Sequence, residues 1–321
     1  MLARDVIQRV REIQIRTGRQ VADVLAGQYV SVFKGRGIEF DEVRPYIPGD
    51  DVRTIDWNVT ARMGEPFVKR YVEERQLTLM LMADVSASQD FGSGSRSKRE
   101  ATAELCALLA FSANYNDDKV GLTLFHGRIE QYIPARKGQR HSLRVVREVL
   151  THGTGEAPEE TAIPTGRRRW LPFGRRRAWT RSARQSTRIA GAMEFLMSVT
   201  SRKTVCFVVS DFLDSGYLQA MQSASRKHDV IAVLMTDPRE LQVPDVGLVN
   251  LADLETGNCR QVDTGSSAFR EFVAKSARDR IARLDREFLA SKIDFIAIDA
   301  SQSVVDPLIR FFRMRERRMR R

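Results

Sequence analysis

Three short segments carry the side chains best suited to chemistry: "DVSAS" with Asp84, Ser86 and Ser88, "QSTRIAGAM" with Thr187, and "VVSDF" with Asp211. All of these donors are oxygens, with no thiolate or histidine among them. Such ligands suit a hard cation, Mg²⁺ or Mn²⁺, which would complete a near-octahedral shell with water or a partner's carboxylate. The spacing of Asp84, Ser86 and Ser88 has a geometric reason, because alternate positions of an extended segment project to one side while Ala87 would point elsewhere. The same residue types also serve local structure: Asp84 and Ser86 could cap the following turn, Thr187 a helix, and Asp211 could close an Asx turn. Chain order favours a site. Asp84 and Asp211 each end an apolar run and Thr187 opens a helical one, and in an open α/β sheet ligands bind outside the carboxyl ends of the strands.

The elements that must position these donors follow from periodicity. Apolar runs predict strands at Leu77–Val85, Lys119–Phe125, Thr204–Ser210, Val230–Met235 and Asp294–Ile298. Amphipathic stretches predict helices at Lys98–Asn114, Ser142–Leu150, Thr187–Thr200, Gly216–Arg226 and Ala268–Ala290. Strands alternating with helices give an α/β, doubly wound, mostly parallel sheet covered on both faces. "GRIEQYIPAR" reads as an antiparallel hairpin partner and "LVNLADLETGNCRQVDT" as a short edge pair about a Thr-Gly-Asn turn. The organisation expected is a helix plus strand-rich block over 1–75, the sheet domain over 76–312 with a basic insertion at 151–186, and a basic tail over 313–321. In the first block Trp57 is expected to be buried, among arginines paired with Asp and Glu. "GRGIEF" has the look of a glycine-rich phosphate loop, but no apolar strand precedes it and its last glycine is missing.

Composition narrows the function classes. The 321 residues have ordinary hydrophobic content for a globular chain, and no apolar run approaches the roughly 20 residues of a membrane helix. No signal-peptide pattern opens the sequence, which points to the cytoplasm. Cys106, Cys206 and Cys259 are widely spaced, so neither a disulfide framework nor a thiolate zinc site is indicated. His126, His141, His152 and His228 form no zinc-type pair. The net charge of +11 is concentrated in "TGRRRWLPFGRRRAWTRSARQSTR" and "RFFRMRERRMRR". Arg167, Arg168, Arg169, Arg175, Arg176 and Arg177 could attract phosphates, anionic lipid or an acidic partner, or the two clusters could be a solvated loop and a helix end with favourable C-terminal cations. Trp170, Phe173 and Trp179 between them would add base stacking, so nucleic-acid binding stands as an alternative.

At this point the chain resembles a known family. "DVSAS", Thr187 and Asp211 resemble the metal-ion-dependent adhesion site of von Willebrand factor type A domains, whose pattern is Asp-x-Ser-x-Ser, then Thr, then Asp. The resemblance implies a von Willebrand factor A-like, Rossmann-like sheet. It also implies direct ligation by Ser86 and Ser88, ligation by Thr187 directly or through water, and Asp84 and Asp211 acting largely through water. The open coordination position would take a partner's acidic side chain. Where the family often has Gly-Gly before the threonine and Gly after the last aspartate, this chain has Gln185-Ser186 and Phe212.

The block ahead of the sheet domain is similar to the signature of the bacterial family called domain of unknown function 58. The matching elements are Arg44-x-Tyr46, Gly49-Asp50, Arg53-x-Ile55-x-Trp57, Ala61-Arg62 and Glu73-Glu74, within a resemblance over about residues 35 to 312. Many members carry two membrane helices before this block; a short soluble helix here is similar to the cytosolic form. Association with a MoxR-type AAA+ ATPase and an unknown client protein is what the resemblance implies for partners. The expected function is therefore a weakly Mg²⁺- or Mn²⁺-binding interaction module, an adaptor or co-chaperone and not an enzyme. A metal-dependent hydrolase would need a general base, for which His126 is a weak candidate, and "GSGSRS" lacks the context of a nucleophile elbow.

Overall fold

The computed structural model describes residues 12, 13, 29, 33, 38–73, 76–152, 187–252 and 259–319. Among the described residues, the first elements with defined bounds include β1 (Ile38–Pro45), α1 (Trp57–Met63) and β2 (Phe67–Glu73). The first half of the main sheet comprises β3 (Thr78–Asp84), α2 (Lys98–Tyr115), β4 (Lys119–Phe125), β5 (Ile129–Arg136) and α3 (Gln139–Thr151). The chain resumes with α4 (Ile189–Val199), β6 (Val205–Ser210), α5 (Leu218–Ser225), β7 (Asp229–Thr236) and α6 (Pro238–Leu241). It continues with β8 (Leu248–Ala252), β9 (Cys259–Asp263), α7 (Ser267–Ala290), β10 (Asp294–Asp299) and α8 (Val305–Met319).

Six strands form one sheet in the order β10-β7-β6-β3-β4-β5. All neighbours are parallel except the hairpin pair β4 and β5. Strand alternation sorts its side chains into two cores. Leu79, Leu81 and Ala83 of β3, with Phe207, Val209 and Val233, face α2, α3 and α8. Met80 and Met82, with Val208, Ala232 and Leu234, face α4, α5 and α7. A strand buried on both faces cannot alternate apolar with polar, and for this reason β3, β6 and β7 read as continuous apolar runs. α2 is likewise buried nearly all round, so its apolar residues do not form a single stripe. A capping box of Ser97 with Glu100 starts it.

β1 and β2 pair antiparallel in a separate small sheet, with a bulge at Phe40/Glu42, and β8 and β9 form another two-stranded sheet. In the first block the pairing of Arg44 with Asp50 at 2.7 Å matches expectation. Trp57 does not: it is 69% exposed, because it stands at the start of a seven-residue helix with no buried residue. The block is also not wholly peripheral. Ile13, Tyr29 and Phe33 are buried in the core shared with α2 and α8, and Phe33 lies edge-on to Phe207 and Phe312. At the other end, α8 runs unbroken through Arg313 to Met319, and Arg315 within it pairs with Asp229 and Asp294.

Candidate functional site

β3 is the switch point of the sheet: from it the chain moves one way to β4 and β5, then returns to the other side for β6, β7 and β10. Strands on either side of such a point send their following loops apart, which opens a crevice at their carboxyl ends. Asp84 is the last residue of β3 and Asp211 follows the last residue of β6. After Asp84 the chain passes through Val85 and Ser86 into a 3-10 turn, Ala87–Asp90, which folds Ser88 back over the strand ends. Thr187 stands just before α4 and is buried. The structure therefore brings Asp84, Ser86, Ser88, Thr187 and Asp211 into one hydrogen-bonded cluster.

Within it, Oδ1 of Asp84 accepts the Ser86 backbone N–H at 2.8 Å. Oδ2 accepts the Ser210 hydroxyl at 2.7 Å and the Thr187 hydroxyl at 3.2 Å. The hydroxyls of Ser86 and Ser88 are 2.9 Å apart, and Ser88 donates to Oδ2 of Asp211 at 2.7 Å. Asp84 is buried and surrounded by neutral donors. Burial, reinforced by the charge of Asp211, pushes its carboxyl up to about 6, with the bonds from Ser86 and Ser210 opposing the rise. Around Asp84 the donors are two hydroxyls and one backbone N–H, with no cationic side chain among the described residues bonded to it, a condition under which a hard cation gains. Among the described residues no three Asp, Glu, His or Cys side chains gather as a metal cage, so hydroxyls would have to supply much of any coordination here.

Several participants lack an obvious sequence signal. Ser210 ends an apolar strand and in retrospect is marked by being its sole polar residue. Gln89 donates to Asp211 at 3.3 Å. Lys98, wholly buried, places its ammonium 3.2 Å from Oδ2 of Asp211 and 2.6 Å from Oε1 of Glu240. In "SKRE" it reads as an ordinary solvent-facing helix start, and nothing in one sequence links it to Glu240. Phe212 adopts the left-handed conformation, φ 51°, at the position where the resembled family often has glycine. Packing of its ring on Phe288 and Tyr217 holds the residue there. Arg280 of α7 secures the same turn by donating to the Asp211 carbonyl at 2.8 Å.

His126, at the end of β4, has its Nε2 2.9 Å from Glu130, and its carbonyl accepts the N–H of Arg188 beside Thr187. Arg167, Arg168, Arg169, Arg175, Arg176 and Arg177, with Trp170, Phe173 and Trp179, lie outside the described residues, as do the Thr-Gly-Asn turn, Glu74 and most of the first helix. Among the described residues no helix is long and apolar enough to cross a membrane.

Comparison with known proteins adds a family. The model described as "Protein of unknown function DUF58" matches residues 42–283. Uncharacterized protein Mb1516 of Mycobacterium bovis and uncharacterized protein Rv1480 of Mycobacterium tuberculosis are each 29% identical over 304 residues, 90% of this chain and 88% of the relative. Among solved structures, the conserved hypothetical protein BatB from Bacteroides thetaiotaomicron aligns at 16% identity with a TM-score of 0.44, over 75% of this chain and 99% of that one.

Proposed function

This chain belongs to the family described as protein of unknown function DUF58, and from that premise we propose that it is a cation-dependent protein-interaction module. In this reading the sheet is of the von Willebrand factor A type. Ser86, Ser88 and Thr187 hold Mg²⁺ or Mn²⁺ directly, Asp84 and Asp211 act behind water, and a partner's carboxylate takes the open position. The observation that carries the reading is the convergence of donors from β3, the approach to α4 and the end of β6 on a buried, undercompensated Asp84. The candidate ligands fit a hard cation in donor type, since Asp84, Ser86, Ser88, Thr187 and Asp211 all offer oxygen, while within the cluster Lys98 and Gln89 bring nitrogen only to Asp211. The cation would supply a fixed positive charge, while the chain's own hydroxyls and carboxylates orient it and exclude water from one side. With few carboxylates in contact, affinity should be weak, about micromolar to millimolar.

A metal held mainly by hydroxyls keeps most of its charge, so an Asp or Glu arriving from outside gains more than at a metal already neutralised. The partner favoured by the family resemblance is a MoxR-type AAA+ ATPase acting on a client protein, with the arginines at 167–169 and 175–177 steering association. The test is binding of that ATPase to the full chain in Mg²⁺ and in EDTA, with Asp84→Asn and Asp211→Asn alongside. Loss of binding in EDTA and in both variants supports the module. Equal binding throughout removes the cation from the interaction, and binding of nucleic acid that persists in EDTA but falls steeply with salt would favour the basic insertion instead.

A further inference from the structure

Lys98 is the first residue of α2, and its side chain is wholly buried although it bears a charge. A buried ammonium is retained only where carboxylates compensate it. Its partners come from different parts of the sheet end: Asp211 after β6, inside the oxygen cluster, and Glu240 on α6 after β7. The contacts are unequal, 3.2 Å to Asp211 and 2.6 Å to Glu240. Asp237 adds a further negative charge that Lys98 reaches, but its oxygens are already occupied by the Ser93 N–H and hydroxyl and by the Arg239 N–H. Asp84, across the cluster, has only neutral donors.

We propose that Lys98 is a tethered counter-cation at the edge of the cation site, which a divalent ion displaces from Asp211 and which Glu240 then holds. This rests on reading the oxygen cluster as a cation site. Like charges repel, and a divalent ion bound by Ser86, Ser88 and Thr187 would lie beside an ammonium bonded to the same Asp211 oxygen that Ser88 uses. The ammonium already sits closer to Glu240, so the longer contact is the one that yields. Loading the site would thereby shift charge onto α6, whose Asp237 is bonded to Ser93 in the loop after the 3-10 turn. Occupancy at β3 and β6 would in this way reach the surface beyond β7. The lysine also sets the strength of the site: it keeps Asp211 compensated without metal, and weakens metal binding as the counterpart.

The test is calorimetric titration of the full chain with Mn²⁺ and Mg²⁺, with thermal melts of each variant in EDTA as the folding control. Lys98→Met keeps the length and apolar stem of the side chain, and should tighten divalent binding about tenfold. Glu240→Gln should weaken it several-fold, because the ammonium then has only Asp211 to hold. In the double variant the Glu240→Gln effect should vanish, since it acts through Lys98. Unchanged affinity in Lys98→Met beside a wild type that titrates, or an undiminished Glu240→Gln effect in the double variant, would overturn the proposal and leave Lys98 as a structural ion pair. If Lys98→Met does not fold, Glu240→Gln decides alone: unchanged or tighter binding overturns the proposal. If the folded wild type, Lys98→Met and Asp84→Asn all fail to titrate, the cation site itself fails and this proposal with it.

Discussion

The Ser88 hydroxyl donates a 2.7 Å hydrogen bond to Oδ2 of Asp211, 123 positions further along the chain. With its one proton on Asp211, Ser88 accepts from the Ser86 hydroxyl at 2.9 Å and keeps its second lone pair for a cation, so the bond orients Ser88 without consuming it as a ligand. Ser88→Ala should therefore lose both roles. In EDTA the loss of one hydrogen bond to a charged acceptor should cost about 1–3 kcal/mol, with Lys98 and Gln89 still on Asp211. Mn²⁺ affinity should fall in addition. Urea denaturation in EDTA and calorimetry separate the two effects; a variant with wild-type affinity would remove Ser88 from the site.

Asp84 makes the metal-free protein sensitive to pH in an unusual direction. Its folded carboxyl titrates at about 6 against 3.8 when unfolded, so between those values the native state holds more protons. Stability then falls as pH rises through that window, by on the order of 3 kcal/mol at most, and the ionised group stays costly above it. Asp84→Asn removes the charge, and the hydroxyls of Ser210 and Thr187 can reorient to accept from its amide. In EDTA at pH 8 the variant should be at least as stable as wild type, yet it should not bind Mn²⁺. Urea midpoints at pH 5 and 8 check this, and a strongly destabilised variant at pH 8 would contradict it.

His228 acts with the opposite sign. It is buried, with Nε2 3.3 Å from the Thr200 hydroxyl, and burial first, then the charge of Lys227, lowers its pKa from 6.5. Between its folded value and 6.5 the unfolded state binds more protons, so the stability it supports is present above 6.5 and drains away as pH falls. His228→Gln should flatten the acid side of the stability profile, whereas Asp84→Asn should steepen it. Denaturation midpoints from pH 7.5 to 5 distinguish the two slopes.

Phe212 sets backbone strain against packing. The left-handed conformation costs a non-glycine residue roughly 1–2 kcal/mol, while truncating a buried phenylalanine costs about 3–5 kcal/mol. Both Phe212→Gly and Phe212→Ala should destabilise, because the ring contacts with Phe288 and Tyr217 are lost in either case. Glycine should be less harmful than alanine by about 1 kcal/mol, since it alone occupies φ 51° freely. Equal losses in chemical denaturation would mean that the turn relaxes when the ring is removed.

How much of this was legible depended on range. The central strands announced themselves because burial on both faces leaves uninterrupted apolar runs, and Asp84 and Asp211 because carboxylates at the ends of such runs are unusual. β3 spans Thr78–Asp84 where the pattern predicted Leu77–Val85, and β4 coincides with its expected range. Lys98 was not legible, since its partners lie 113 and 142 positions away and its neighbours are charged. Trp57 misled because a large aromatic beside arginines suggests burial, whereas a short helix attached to a two-stranded sheet has no core to receive it. The end of α8 was legible in part: a run of arginines reads as the cationic end of a helix or as a basic tail, but only the fold brings Asp229 and Asp294 to Arg315.

Arg315 tests that last point directly. Its guanidinium binds Asp229 at 2.6 Å and Asp294 at 3.3 Å, and lies 5.1 Å from the ring centre of Phe33 and 5.7 Å from that of Phe311. A planar fork can serve both carboxylates and stack on a ring, whereas an ammonium is a point charge on a flexible stem. Arg315→Met should cost about 2–3 kcal/mol, less than a fully buried pair because some solvent reaches the site and Arg318 still holds Asp294. Arg315→Lys should recover less than half of that loss. Deletion of residues 313–321 should destabilise at least as much as Arg315→Met, since it removes the ion pair together with the last turns of α8. Urea denaturation of the three variants is the measurement, and a deletion as stable as the full chain would show that the arginines form a dispensable tail after all.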